Sequence, residues 1–113
     1  MIKGENMKRG YIKLYRKFED WEWYTDVNTK VTFLHLLLVA NHKDCRYRGE
    51  MLMKGQVLTS TKIISVETGL SVQQVRRALN NLEMTGEISR KSSNQNTLFT
   101  INNWEKYQCN KDM

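Results

Sequence analysis

The stretch that decides the fold is residues 60–86, STKIISVETGLSVQQVRRALNNLEMTG. Ser60 or Thr61 is a good N-cap, and Ile63, Ile64 and Val66 supply apolar positions for the helix that follows. That helix stops near Thr68-Gly69, where glycine takes a positive φ at little cost and allows a sharp reversal. After Leu70, Ser71 caps a second helix, with Gln74 where a capping box carries Glu or Gln. Val72, Val75, Leu79 and Leu82 then recur at i, i+3, i+7 and i+10, and Ala78 shares their face. This spacing predicts a three-turn amphipathic helix ending at Thr85-Gly86. Two helices joined by a tight glycine turn make a helix-turn-helix.

Working outward, Glu87-Ile88-Ser89-Arg90-Lys91 and Thr97-Leu98-Phe99-Thr100-Ile101 both alternate around the polar turn Ser92-Ser93-Asn94-Gln95-Asn96. Two short strands about such a turn predict a β-hairpin, which makes the motif a winged helix-turn-helix: mainly α, with a small β-hairpin. Upstream, Gln56 to Thr59 reads as a short strand after the Lys54-Gly55 turn, and Lys43-Asp44 and Arg48-Gly49 read as loop. Thr29 is the expected N-cap of a helix over Lys30–His42, whose run Phe33 to Ala40 is apolar almost all round and therefore buried. Phe18 to Tyr24 is a helical turn or loop whose Trp21, Trp23 and Tyr24 read as aromatic core. Gly10 to Arg16 suits a short strand or extended arm, and Asn102 or Asn103 caps a last helix carrying Trp104 and Tyr107. Val72, Val75, Leu79, Leu82 and Trp104 are assigned to the core. The division expected is a flexible basic N-terminus over 1–9, one domain over 10–108 and a tail over 109–113.

A helical wheel gives the second helix its function. With the apolar residues turned inward, Gln73, Arg77 and Asn80 point outward, and Gln74 and Asn81 lie at the edge of that face. No acid precedes Glu83 on it. Gln and Asn match the donor and acceptor edge of adenine, and Arg matches guanine. Exposed Gln and Asn are merely solvated on most helices; the Arg among them, the helix before and the hairpin after favour base reading here. Ser71, at the helix start, is placed to meet a phosphate with its hydroxyl and the free N–H groups. Arg76 lies on the flank, in reach of the backbone. The wing residues Arg90, Lys91, Ser92, Ser93, Asn94 and Gln95 are candidates for phosphate or minor-groove contact.

The charge distribution agrees. The 113 residues carry 18 Lys and Arg against 12 Asp and Glu, a formal charge of +6. Residues 1–17 hold six basic residues and one acid, so the excess sits on an N-terminal arm that includes Lys8, Arg9, Lys13, Arg16 and Lys17. The composition also excludes classes. Two cysteines, Cys45 and Cys109, cannot make a disulfide scaffold, and with His35 and His42 they lack the spacing of a metal site, so no metal or cofactor is expected. No apolar run has the length of a membrane span or a secretory signal, which implies a cytoplasmic protein with no membrane partner. No GxGxxG, GxxxxGK[ST], HExxH or GxSxG occurs, and two histidines leave few general bases, so no enzyme is expected.

Several segments together resemble the N-terminal winged-helix domain of phage replisome organisers and DnaD-like primosomal proteins. They are Gly55-Gln56-Val57-Leu58-Thr59-Ser60, Glu67-Thr68-Gly69-Leu70-Ser71-Val72-Gln73-Gln74-Val75-Arg76-Arg77-Ala78-Leu79, Leu82-Glu83 and Gly86-Glu87-Ile88. Upstream Trp23-Tyr24 and Phe33 to Asn41, and the closing Ile101-Asn102-Asn103-Trp104 with Tyr107-Gln108, fit the same family. The likeness spans residues 10–108. It implies a DNA-binding domain acting at a replication origin, often oligomeric through its N-terminal region, with Ser71, Gln73, Gln74 and Arg77 on the recognition helix and Arg90–Gln95 on the wing. Family members often continue into a second domain that engages single-stranded DNA and the helicase-loading machinery; a chain ending at Met113 is expected to be the DNA-docking part. The expected partners are double-stranded DNA, a second copy in a homodimer or higher oligomer, and a replication protein. The alternatives are a small transcriptional repressor with the same motif, and an adaptor or inhibitor that uses the winged helix as a protein-docking surface.

Overall fold

The computed structural model describes residues 10–47, 49–92 and 96–108. After an extended segment, a single 3-10 turn, Arg16–Asp20, leads into helix α1, Val27–Val39. A two-stranded hairpin follows, β1 Cys45–Tyr47 and β2 Glu50–Leu52, then strand β3, Gln56–Thr59. Helices α2, Thr61–Thr68, and α3, Val72–Met84, precede strands β4, Ile88–Ser92, and β5, Thr97–Ile101, and the described chain ends in a short helix α4, Trp104–Gln108.

The order of the second sheet is β3-β5-β4, antiparallel throughout. Val57 faces Phe99 across one pair and Ile88 faces Ile101 across the other. Helix α1 packs on α2 and α3, and α3 packs on α2 and β4. One core results: Phe33, Leu36 and Leu37 of α1, Ile64 of α2, Val75, Leu79 and Leu82 of α3, and Ile88, Phe99 and Ile101 of the sheet are buried together with Trp104.

Local chemistry fixes the turn that aims α3. Ser60 caps α2 by accepting from the Ile63 N–H at 3.2 Å. Gly69 ends that helix at φ 85°, in the left-handed region. Across the turn, Ser65 Oγ donates to the Leu70 carbonyl at 2.6 Å and Thr68 Oγ1 accepts from the Leu70 N–H at 3.2 Å. The Ser71 capping box is complete: its Oγ accepts from the Gln74 N–H at 3.1 Å, and Gln74 Oε1 accepts from the Ser71 N–H at 2.9 Å.

Several local expectations change. Asp26, not Thr29, caps α1, because Asp26 Oδ1 accepts from the Thr29 N–H at 3.1 Å. Thr29 thereby becomes a buried residue of the first turn, and its Oγ1 accepts from Asn81 Nδ2 at 3.0 Å. That bond turns Asn81 toward α1 and off the outward face of α3. Helix α1 stops at Val39, since Ala40 is already extended. Cys45–Tyr47 and Glu50–Leu52, to which the sequence assigned no element, pair as a hairpin, and residues 11–15 form no strand, which leaves the extended arm of the two readings. Val72, at the margin of the apolar stripe, is 37% exposed and outside the core, and Ile63 and Val66 of α2 are exposed as well.

Candidate nucleic-acid interface

The residues that face away from the core on α3 are Gln73, Arg77, Asn80 and Met84, spaced i, i+4, i+7 and i+11. All four are exposed, as are Gln74 and Arg76 beside them. Val75, Ala78, Leu79 and Leu82 occupy the opposite side and are buried, so packing holds the rotation of the helix. The capping box fixes Gln74 at the start of α3. Its carbonyl oxygen serves the cap, which leaves its amide N–H groups as donors. Ser71, Gln73 and Gln74 stand at the N-terminal end, where helix N–H groups and the dipole favour an anion.

Arg90 sits apart from the role expected of a wing cation. Its Nε and Nη2 donate to Glu83 Oε1 at 3.1 and 2.8 Å, and Nη2 also donates to Asn80 Oδ1 at 2.7 Å. The guanidinium therefore folds from β4 back onto α3 and covers the one acid near its outward face. Lys91 and Ser92 remain exposed on β4, an edge strand. Ser93, Asn94 and Gln95 lie outside the described residues. Among the described residues, Lys62, Arg76, Arg77 and Lys91 carry no ion pair.

The basic arm is not gathered onto this face. Lys8 and Arg9 lie outside the described residues, and Arg16 and Lys17 are exposed on the 3-10 turn. Lys13 is fixed through its backbone, its N–H donating to Gln108 Oε1 at 2.7 Å and its carbonyl accepting from Gln108 Nε2 at 2.9 Å. The aromatic segment after the arm is part of the fold. Trp21 Nε1 donates to Glu87 Oε2 and Trp23 Nε1 to Thr85 Oγ1, each at 2.9 Å, and Thr85 Oγ1 in turn meets Glu87 Oε1. The Trp21 ring lies 5.0 Å from Phe33, and Lys30 Nζ stands 4.0 Å over the Tyr24 ring. These bonds hold the segment at the C-terminal end of α3, about 20 Å along the helix from Ser71.

Arg90's clasp on Glu83 and Asn80 escaped sequence reasoning, because the partners lie seven and ten residues back, across a turn. Exposed Lys62 on α2 was readable from the sequence but stood outside the periodic pattern. His35 pairs with Glu67 at 2.8 Å, His42 meets Trp104 edge-on, and Cys45 is an exposed free thiol.

The chain falls in the class of phage replication proteins, for a family model described as the N-terminal phage replisome organiser matches residues 7–113. The chain belongs to that family. No curated protein and no solved structure matches it. Among the described residues, no helix is long and apolar enough to cross a membrane.

Proposed function

We propose that the chain is the duplex-DNA-binding winged-helix domain of a phage replication initiator or replisome organiser. The observation that carries this reading is the exposed stripe Gln73, Arg77 and Asn80 on a capped helix whose rotation the core fixes. In this reading α2 and α3 are the helix-turn-helix, α3 enters the major groove, and β4 with β5 form the wing. Gln73 and Asn80 read adenine, Arg77 reads guanine, and Ser71, Gln74 and Arg76 meet backbone phosphates. Asn80 donates an amide N–H to adenine N7, and its carbonyl oxygen, which accepts from Arg90, has a second lone pair for the adenine N6 amino group. Lys91 and Ser92 contact phosphates, as do the wing residues Ser93, Asn94 and Gln95 expected from the sequence. The arm from Lys8 to Lys17 supplies sequence-independent attraction. The family supports a replication role; self-association through the N-terminal region and contact with a replication protein follow from the same resemblance. The protein works in the cytoplasm, by binding, with no catalytic step and no cofactor.

The test is footprinting and fluorescence anisotropy on duplexes tiled across the phage replication region, at several salt concentrations. The expected result is one protected site at the origin, affinity that falls steeply with salt, and an Arg77→Ala variant that loses about 1–3 kcal/mol of base discrimination. Protection at a promoter instead supports the repressor. No duplex binding at low salt overturns the reading in favour of a protein-docking adaptor.

A further inference from the structure

A cleft of about 420 Å³ opens between the extended N-terminal segment, α1 and α4. Its volume lies within the range of roughly 300–1,000 Å³ typical of clefts that hold ligands. None of its lining residues belongs to α2, α3 or β4, so it lies apart from the proposed recognition helix and wing, although it shares Lys13 and Lys17 with the basic arm. Phe33, Leu37, Trp21 and Tyr107 supply apolar walls. The two-way bond between the Lys13 backbone and the Gln108 amide fixes one rim.

Two features define what fits there. The first is charge: Lys13, Lys17 and Lys106 line the cleft against one carboxylate, Asp20. The second is extent. Leu14 and Tyr15, which also line it, are 50% and 54% exposed, and the neighbouring Tyr11 is 81% exposed. Apolar surface at the cleft is thus open to solvent at Leu14 and Tyr15, and cations stand beside it. Scattered single apolar residues need no explanation, but a contiguous apolar strip joined to a cleft and edged by lysines marks an interaction site.

We propose that this cleft docks an acidic, amphipathic peptide segment of a partner protein. Apolar side chains of the peptide anchor against Phe33 and Tyr107, and its carboxylates pair with Lys17 and Lys106. Charge complementarity selects the acidic partner and speeds encounter, while the apolar anchors carry the affinity. The site is independent of how α3 is used.

The experiment uses the full chain and a labelled synthetic peptide in which Glu and Asp alternate with Leu and Phe. Two control peptides replace the acids by Lys or the apolar residues by Ala. Anisotropy gives affinity, and backbone amide shifts locate the site. The expected result is binding of the acidic amphipathic peptide alone, with shifts at Phe18, Trp21 and Tyr107 and none at Gln73 or Arg77. Lys106→Glu and Leu14→Ser, both exposed positions, each weaken binding about tenfold without lowering Tm. No binding, equal binding of the lysine peptide, shifts centred on α3, or wild-type affinity in both variants would each overturn the proposal.

Discussion

Arg90 shows how much one side chain alters the electrostatics of a surface. Held against Glu83 and Asn80, it neutralises the acid beside the outward face of α3, the face proposed to meet DNA. The pair is partly exposed, so its value to stability is small, on the order of 0–1 kcal/mol. Its effect belongs to binding. Arg90→Gln is expected to weaken duplex affinity about fivefold, near 1 kcal/mol, and adding Glu83→Gln to restore most of the loss. If the double variant stays as weak as Arg90→Gln, Arg90 touches phosphate directly and the shielding account fails. At this scale the sequence was legible where helix arithmetic applies: Gln73, Arg77 and Asn80 follow from the position of Val75 and Leu79. It was not legible where a partner comes from another element. Nothing in the neighbourhood of Asn81 announces that its amide reaches Thr29 on α1.

Among the elements, the tight turn before β3 carries the most constraint. Gly55 is buried with φ 80°, its N–H donates to the Asn41 carbonyl at 2.8 Å and its carbonyl accepts from the Ile101 N–H at 2.8 Å. A Cβ placed there would lie 2.7 Å from Trp104 Cβ and 2.8 Å from Cγ, atoms that cannot swing away. Gly49 has the same φ and open space around it. Gly49→Ala therefore measures backbone strain alone, about 1 kcal/mol, whereas Gly55→Ala adds the displacement of a buried indole. A combined cost of roughly 3 kcal/mol or more is expected, read as a Tm more than 10 °C below wild type. Equal Tm values for the two variants would show that Trp104 moves freely. The helices α2 and α3 and strands β3, β4 and β5 were readable because caps, glycines and periodicity agreed. The β1–β2 hairpin was not, because two three-residue runs are too short for alternation to show. The start of α1 was misplaced for a related reason: Asp26 and Thr29 are both good caps, and burial of Thr29 under α3 decides between them.

For the whole molecule, the response to alkali reports how the last helix is held. Burial first, and then the Glu87 carboxylate, raise Tyr107 above the ordinary phenol value of 10.0, so the fold favours the neutral phenol. The stability this contributes is full below about pH 10 and is lost as pH rises through the higher folded value. Denaturant melts across that range are expected to show a falling limb that Tyr107→Phe flattens. An unchanged limb would assign the fall to other groups.

The bond between Lys13 and Gln108 joins residues 95 positions apart. Closing so long a loop has a larger entropic cost than closing the short ones within α2, α3 and their turn. An order of assembly is expected from this: the α2–α3 segment gathers early, and the N-terminal segment docks late. By the same asymmetry that segment is expected to detach first under mild stress, with the cleft lost while α3 keeps its place.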